Sequence, residues 1–524
     1  MTYNIVWFKR DLRLHDHIAL LTAASQGSVL CLYVVEPSIW AQPDAANQHY
    51  QFLLESLRDL YVALRQRGGQ LHILTGEVTS VFDQLFASAP FSAICSHEET
   101  GNDATYQRDK AVGRWCRAHQ IAWHEFAQFG VVRRLQDRDG WQRQWNAHND
   151  LPCVPVPELT AASFAPLPPL LAMPQLPASP QELGLDAYDP PQRQRGGRQS
   201  GLSVLDSFLT DRSNQYRGGI SSPLSAPTAC SRLSPYLAFG CVSLREIVHA
   251  TRRQVASLSP SSPLSPGTSR QKQGLNAFVS RLYWHCHFIQ KLESEPQLEY
   301  RNLHRGYDGL REHDWNQVHF EALISARTGW PLVDACVTML HQTGWLNFRM
   351  RAMLVSVAAY PLWLDWRPVG HWLARQFLDY EPGIHWSQMQ MQSGTTGINV
   401  PRIYNPIKQA SDHDPHGRFV RRWLPAMRRV PDSWLFEPWR MPPDVQAACG
   451  VQVGVDIAMP VVDIDLATRE AKARLFALRA QPGVKSAKAA IVEKHGSRKK
   501  DTGRTRRKSA ANAAQQNSQL DLGF

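Results

Sequence analysis

Cysteine pairs, a membrane-length apolar run and a leader-like N-terminus are all missing from this chain of 524 residues. Its nine cysteines stand apart, at positions 31, 95, 116, 153, 230, 241, 286, 336 and 449, with no CxxC spacing among them. That argues against zinc and against an iron–sulfur cluster, so no metal site is expected. His285-Cys286-His287 is a run of metal-ligand types, but adjacent residues on a helix point to different faces, and it reads as packing. No segment approaches the ~20 apolar residues that cross a bilayer. Met1-Thr2-Tyr3-Asn4 runs into a strand without a charged n-region or an apolar h-region. The expectation is a cytoplasmic protein with no membrane partner.

A large acidic excess is also absent. The formal net charge is +11, and ten basic against three acidic residues lie beyond residue 480, which leaves +4 for the preceding 480 residues. The folded part permits nucleic-acid binding without requiring it, and the tail is the basic element. What the chain has in quantity is aromatic: 17 Trp, 19 Phe and 14 Tyr. Such a composition, at this length, predicts two or three domains with a large buried interior, most of the tryptophans being core.

Residues 1–130 alternate short β-branched runs (Ile5–Phe8, Val29–Val35, Leu71–Leu74, Ala93–Ser96) with amphipathic stretches such as Tyr50–Arg67 and Asp103–His119. This predicts an α/β, doubly wound parallel sheet, whose ligands bind beyond the carboxyl ends of the strands. Lys9-Arg10-Asp11-Leu12-Arg13 sits at such an end and reads mainly as a structural tie. Residues 131–200, Pro-rich from Leu151 to Pro191, read as a connector. Residues 201–480 turn all-helical, interrupted by a Ser/Pro loop at 255–270. Residues 481–524 read as a basic, disordered tail.

The chain is organised around residues 341–407. A helix is predicted from Asn347 to Tyr360, ended by Pro361 and a turn at Asp365-Trp366-Arg367-Pro368. A second helix is expected over His371–Leu378, followed by a polar loop from Asp379 to Ile398. Arg351 lies inside the first helix, and a guanidinium among apolar residues needs a carboxylate. Asp379 and Glu381 are the nearest candidates.

This stretch resembles the flavin-binding core of the photolyase/cryptochrome family. Four further blocks agree, in the family's order: WFKRDLRLHDHIAL (7–20), CSRLSPYLAFG (230–240), TGWPLVDA (328–335) and NPIKQASDHDPHGRFVRRWLP (405–425). The resemblance implies an N-terminal α/β domain, an all-α FAD-binding domain and noncovalent FAD. It leaves open an antenna chromophore of folate or deazaflavin type. By the same resemblance Tyr216, Ser231, Leu233 and Ser234 match flavin contacts, Cys230 standing where Thr is usual. Arg351 would lie over the isoalloxazine, held by Asp379. Glu381 would bond the pyrimidine side of the ring, and His385 would face N5, with a ring able to titrate near neutrality. His285, in place of a phosphate-binding Arg, and Arg349 complete the cofactor-binding set.

Departures from the family pattern bear on activity. Trp284 matches the residue on which a flipped pyrimidine dimer stacks, but Arg281 replaces the neighbouring carboxylate and Asn347-Phe348 a His-Asn pair. Met389-Gln390-Met391 stands where the family has Trp-Gln-Trp. The catalytic set carried over is therefore Trp284, Arg281, Asn347 and His385. Trp366 matches the middle member of the electron chain, Trp315 is a candidate for the outer one, and Trp386 offers another route. The expectation is a monomeric, blue-light-driven photolyase-like protein of a divergent bacterial-type branch, with UV-damaged DNA as partner. The alternative is a cryptochrome-type photoreceptor without repair.

Overall fold

The structure, a computed structural model, describes residues 2–168, 178–258, 266–398 and 401–495. Five strands, β1 (Asn4–Phe8), β2 (Val29–Val35), β3 (Leu71–Thr75), β4 (Ala93–His97) and β5 (Ala122–Phe126), form one parallel sheet in the order β3-β2-β1-β4-β5. Ile5 pairs with Leu30 on one side and Ile94 on the other. Along β1 the side chains alternate between two cores. Ile5 and Trp7 join Leu32, Phe82 and Ile94 on one face, while Val6 and Phe8 join a core that continues into the helical region through Phe208, Tyr236 and Phe278. The sheet and the helices thus share a hydrophobic interior. β5 escaped the sequence reading because its residues, AWHEF, hold no apolar run, with His124 and Glu125 exposed at one sheet edge; β3, at the other edge, keeps Leu71, Ile73 and Leu74.

The Lys9–Arg13 run is a structural tie. Asp11 takes the Lys9 N–H at 2.7 Å, with His97 Nδ1 at 2.7 Å and His17 Nε2 at 3.0 Å from its other oxygen. His17 Nδ1 accepts the Leu20 N–H, which leaves Nε2 to carry the ring proton beside Asp11 without forming a hydrogen bond to it. Arg13 donates to the carbonyls of Gly240 and Asp16.

Within the expected connector a helix, Trp141–Asp150, buries Trp141 and Trp145 against Tyr283. The Ser/Pro loop is shorter than expected, because helices Leu244–Ser257 and Pro266–Ser294 enter it from both sides. Its middle lies outside the described residues. The tail expectation needs a larger correction. Residues Pro482–His495 form a helix, with Val484 buried beside Tyr307, Tyr360 and Leu475 and its carbonyl accepting from His304 Nε2. A few well-placed apolar side chains with a preformed surface to dock on suffice, which composition alone does not reveal. Residues 496–524 lie outside the described residues.

Two more corrections shape the site. The helix expected over His371–Leu378 is Trp366–Gln376, capped by Asp365, whose carboxylate accepts the Arg367 N–H at 2.9 Å. Pro368 falls in its first turn, where a missing N–H costs nothing. The loop expected from Asp379 to Ile398 contains the helix Pro382–Ser393, with Pro at its first position and Gly394 ending it at φ 78°. Gly383 is required there, since a Cβ would lie 2.5 Å from the Cα of Ile289. That close approach sets the helix against the long helix Pro266–Ser294.

Candidate flavin site

A cavity of about 320 Å³ opens between the long helix, the helix Phe348–Ala359, the helix Pro382–Ser393 and the Cys230–Ser234 turn. At its base Arg351 and Asp379 meet, two guanidinium nitrogens each 2.9 Å from the two carboxylate oxygens, while Arg351 Nε donates to the Leu346 carbonyl. Burial pushes the Asp379 carboxyl upward, but Arg351 and a hydrogen bond from Ser234 outweigh it and hold it below the usual range. Glu381, also lining the cavity, is held from behind by Arg10.

The lining contains several buried polar atoms without a hydrogen-bond partner: Arg232 Nη1, Asn347 Oδ1, Gln388 Nε2 and Glu381 Oε1. Unmade hydrogen bonds at buried groups cost on the order of 1–3 kcal/mol each, so these donors and acceptors ask for a polar ligand. Arg232 is notable for its backbone, at φ 62°, and for its guanidinium lying 3.8 Å over the Trp345 ring. The remaining walls are mostly apolar, with Tyr216, Trp284, Phe288, Trp345 and Phe377 among them. A flat ring with a hydrogen-bonding edge, joined to a charged phosphate group, fits such a lining.

Of the residues expected to bind cofactor, Tyr216, Ser231, Ser234, His285, Arg351, Asp379, Glu381 and His385 line this cavity. Leu233 is buried at the start of the helix Ser234–Ala238 and Arg349 faces elsewhere; neither is part of the lining. Tyr216 is hydrogen-bonded by Arg281, and burial raises its phenol. His285 is neutral, its imidazole pushed by burial, and secondarily by Arg10, to about 4.

His385 corrects the expectation of a group titrating near neutrality. Its Nε2 lies 2.9 Å from the Gly370 carbonyl, to which it can only donate, and burial drives its pKa down to about 3. The ring is therefore neutral, with Nδ1 as an acceptor. Asn347 stands just before the helix Phe348–Ala359 without capping it through its side chain, and its amide donates to the carbonyls of Ile220 and Ser221 at 3.0 Å. Trp284 and Arg281, on the long helix, also line the cavity.

Met389 lines the cavity, whereas Gln390 points away and clamps the backbone at Leu298, Arg301 and Leu303. Trp366 and Trp386 are fully buried with ring centroids 5.8 Å apart, and Trp386 lies 4.8 Å from His385. Trp315 packs on Phe320 and makes no ring contact with Trp366. Arg232, Gln388 and Tyr380 were missed as lining residues. Arg232 sits inside the CSRLS block and Tyr380 between Asp379 and Glu381, so both were within reach; Gln388 depends on the helix Pro382–Ser393, which the sequence reading took for a loop.

A second cavity, of about 160 Å³, lies beyond the carboxyl ends of β1 and β2, between Trp7, Tyr33, Trp40 and Arg108. Lys9 and Arg10 line it too, and it shares Ala238 and Tyr380 with the first. Most of its charges are paired, Lys9 with Asp109 and Arg108 with Glu36, Glu99 and Asp109, whereas Asp44 is held by the neutral Asn102 and Tyr380.

Two family models match the chain: DNA photolyase over residues 4–134, and the FAD binding domain of DNA photolyase over residues 278–477. The chain is 29% identical over 495 residues to a cryptochrome DASH of Gloeobacter violaceus, covering 88% of this chain and 93% of that protein. It is 28% identical over 506 residues to a deoxyribodipyrimidine photo-lyase of Agrobacterium fabrum, covering 92% and 98%. Among solved structures, a bacterial class III photolyase from Agrobacterium tumefaciens superposes with a TM-score of 0.75 at 25% identity, covering 92% of this chain and 98% of that one.

Proposed function

Since the chain belongs to the photolyase/cryptochrome family of FAD-binding proteins, we propose that it is a blue-light-driven photolyase that splits UV-induced pyrimidine dimers in DNA. One observation carries this reading: a single cavity is lined both by the Arg351–Asp379 ion pair and by the ring of Trp284. Such a space can hold a cofactor against the ion pair and admit a second aromatic group against the indole.

FAD, when bound, supplies light absorption and a one-electron transfer to the lesion and back. The residues supply the rest. Asp379 fixes the Arg351 guanidinium, and Arg232, with its free Nη1, would take a phosphate oxygen. Gln388 and Glu381 offer a donor and an acceptor to a ring edge. His385 Nδ1 would accept a hydrogen bond from an N–H of the ring, the imidazole's own proton being committed to the Gly370 carbonyl. Trp284 offers a face on which a flipped base stacks, which offsets part of the few kcal/mol that unpairing costs. The apolar walls keep water from the reacting groups.

The second cavity is the place in which we would look for an antenna chromophore, because it adjoins the first through Tyr380 and its aromatic walls, Trp7, Tyr33 and Trp40, suit a flat ring. The rival function, light sensing without repair, is favoured by Met389 in the lining and by Arg281 beside Trp284. Incubating the photoreduced protein with a dimer-containing oligonucleotide under blue light separates the two. Dimer loss that depends on light and is abolished in Trp284→Ala supports repair. Full flavin occupancy and photochemistry with no dimer loss would establish the sensing role instead.

A further inference from the structure

Tyr380 stands between Asp379 and Glu381, and neither role assigned to those residues uses it. Its ring forms part of the wall between the two cavities. Its hydroxyl donates to Asp44 Oδ2 at 2.6 Å and accepts from Trp386 Nε1 at 3.1 Å. Asp44 takes a second hydrogen bond on the same oxygen, from Asn102 Nδ2 at 2.9 Å, and faces the smaller cavity. An indole, a phenol and a carboxylate are thus connected in a line by two hydrogen bonds. The phenol is half-buried, and its desolvation followed by Asp44 raises its pKa well above the ordinary value, so it is held in its protonated form.

We propose that Tyr380 is a redox-active tyrosine and that Asp44 is its proton acceptor. This rests on the reading of the larger cavity as a flavin site and extends it to the source of electrons. The oxidant is a photoexcited, oxidised isoalloxazine in that cavity. It takes one electron from Trp386, leaving the indole radical cation. Tyr380 returns one electron to Trp386 across the 3.1 Å hydrogen bond. In the same step the phenolic proton moves along the 2.6 Å bond to Asp44 Oδ2. The balance is one electron gained by the acceptor, one electron and one proton lost by Tyr380, and a neutral carboxylic acid at Asp44. A phenol can be oxidised near the potential of an indole only if its proton leaves with the electron. Asp44 supplies the base, and its place on the second cavity gives the proton an exit away from the flavin. The hole then rests on a neutral tyrosyl radical, from which return of the electron needs the proton back. Charge separation is prolonged without a tryptophan at position 389.

The test uses the full chain with its flavin, the variants Tyr380→Phe and Asp44→Asn, and flavin absorbance to set every sample to equal occupancy. After a light flash, transient absorption and electron paramagnetic resonance follow the indole and tyrosyl radicals in H2O and D2O. The wild type is expected to convert an indole signal into a tyrosyl signal at a rate that falls at least twofold in D2O. Tyr380→Phe should abolish the tyrosyl signal, and Asp44→Asn should slow its appearance at least tenfold while leaving the initial indole signal intact. A wild type without a tyrosyl signal, or a Tyr380→Phe protein that retains it, overturns the proposal. So does an Asp44→Asn protein with unchanged kinetics. A protein that takes up no flavin instead defeats the functional reading on which the proposal rests. In that case flash oxidation of the flavin-free chain by an external photo-oxidant still decides on Tyr380. A tyrosyl signal that is smaller in Tyr380→Phe supports the assignment, and an equal one rejects it.

Discussion

Arg10 and Glu381, 371 residues apart, meet with Arg10 Nη2 2.5 Å from Glu381 Oε2. This ion pair joins the end of the first strand to the rim of the flavin cavity. Arg10 is fastened further by donating from Nε to the Ala238 carbonyl, and its own carbonyl accepts from Gln128. The α/β sheet therefore positions a carboxylate in a site built otherwise from helices.

Breaking that pair should cost stability through the partner left behind. Arg10→Ala leaves Glu381 buried without its cation and is expected to cost about 3–5 kcal/mol, read from denaturant unfolding. In a Glu381→Gln background the same substitution should cost much less. Equal costs in both backgrounds would mean that the pair is not coupled.

Asp379→Ala should be as severe, because it strands Arg351, and the purified variant should lose its yellow colour. The expected penalty is again about 3–5 kcal/mol. The pH dependence follows from the depressed carboxyl of Asp379. Its contribution is present above the ordinary carboxyl pKa and is lost as pH falls through the lower, folded value. Asp379→Asn should flatten the acid limb of the stability curve, and an unchanged limb together with full FAD retention would remove Asp379 from the site.

His385 makes a separate prediction at higher pH. Its folded pKa, about 3, lies below the ordinary 6.5. Between these values the unfolded chain binds a proton that the folded chain excludes. The stabilisation due to a neutral His385 is therefore complete above 6.5 and falls as the medium is acidified, by up to about 1.4 kcal/mol per pH unit. His385→Asn should lose that component of the slope. NMR of the wild-type ring should show no titration between pH 6 and 8; a midpoint near neutrality would contradict the assignment.

With Met389 in the lining, photoreduction should depend on the buried pair of indoles. Trp386→Phe and Trp366→Phe are to be compared at equal FAD occupancy, with external reductant present. At least one should slow photoreduction several-fold. If neither slows it, alone or together, electrons reach the cavity by another path.

The C-terminus separates into two functions. Truncation after residue 495 removes seven basic residues and should reduce the slope of DNA affinity against salt, each lost phosphate contact lowering it by roughly 0.9. Truncation after residue 480 also removes the helix that places Val484 in a core and Lys494 against Glu295. That variant should unfold at lower denaturant, whereas the shorter truncation should not. An unchanged salt slope in both would exclude the tail from DNA binding.

Much of this molecule was legible in the order of its residues. The strands β1, β2 and β4 show as apolar runs because a parallel strand inside the sheet is buried on both faces, and β3 shows through Leu71, Ile73 and Leu74 although it lies at an edge. Arg351 announces its partner because a guanidinium in an apolar helix cannot stand alone. That local rule leaves Asp379 and Glu381 as candidates, and the fold gives Asp379 to Arg351 and Glu381 to Arg10. The helix Pro382–Ser393 did not show, because Pro-Gly reads as a turn until the long helix is seen pressing against Gly383. The protonation state of His385 depends on its burial beneath Gly370 and Trp386, and the position of Tyr380 on Asp44, 336 residues away. Periodicity and capping are properties of neighbours in the chain. Burial, unpartnered atoms in a shared cavity and the line from Trp386 to Asp44 arise only where distant segments pack together, and for those the tertiary structure decides.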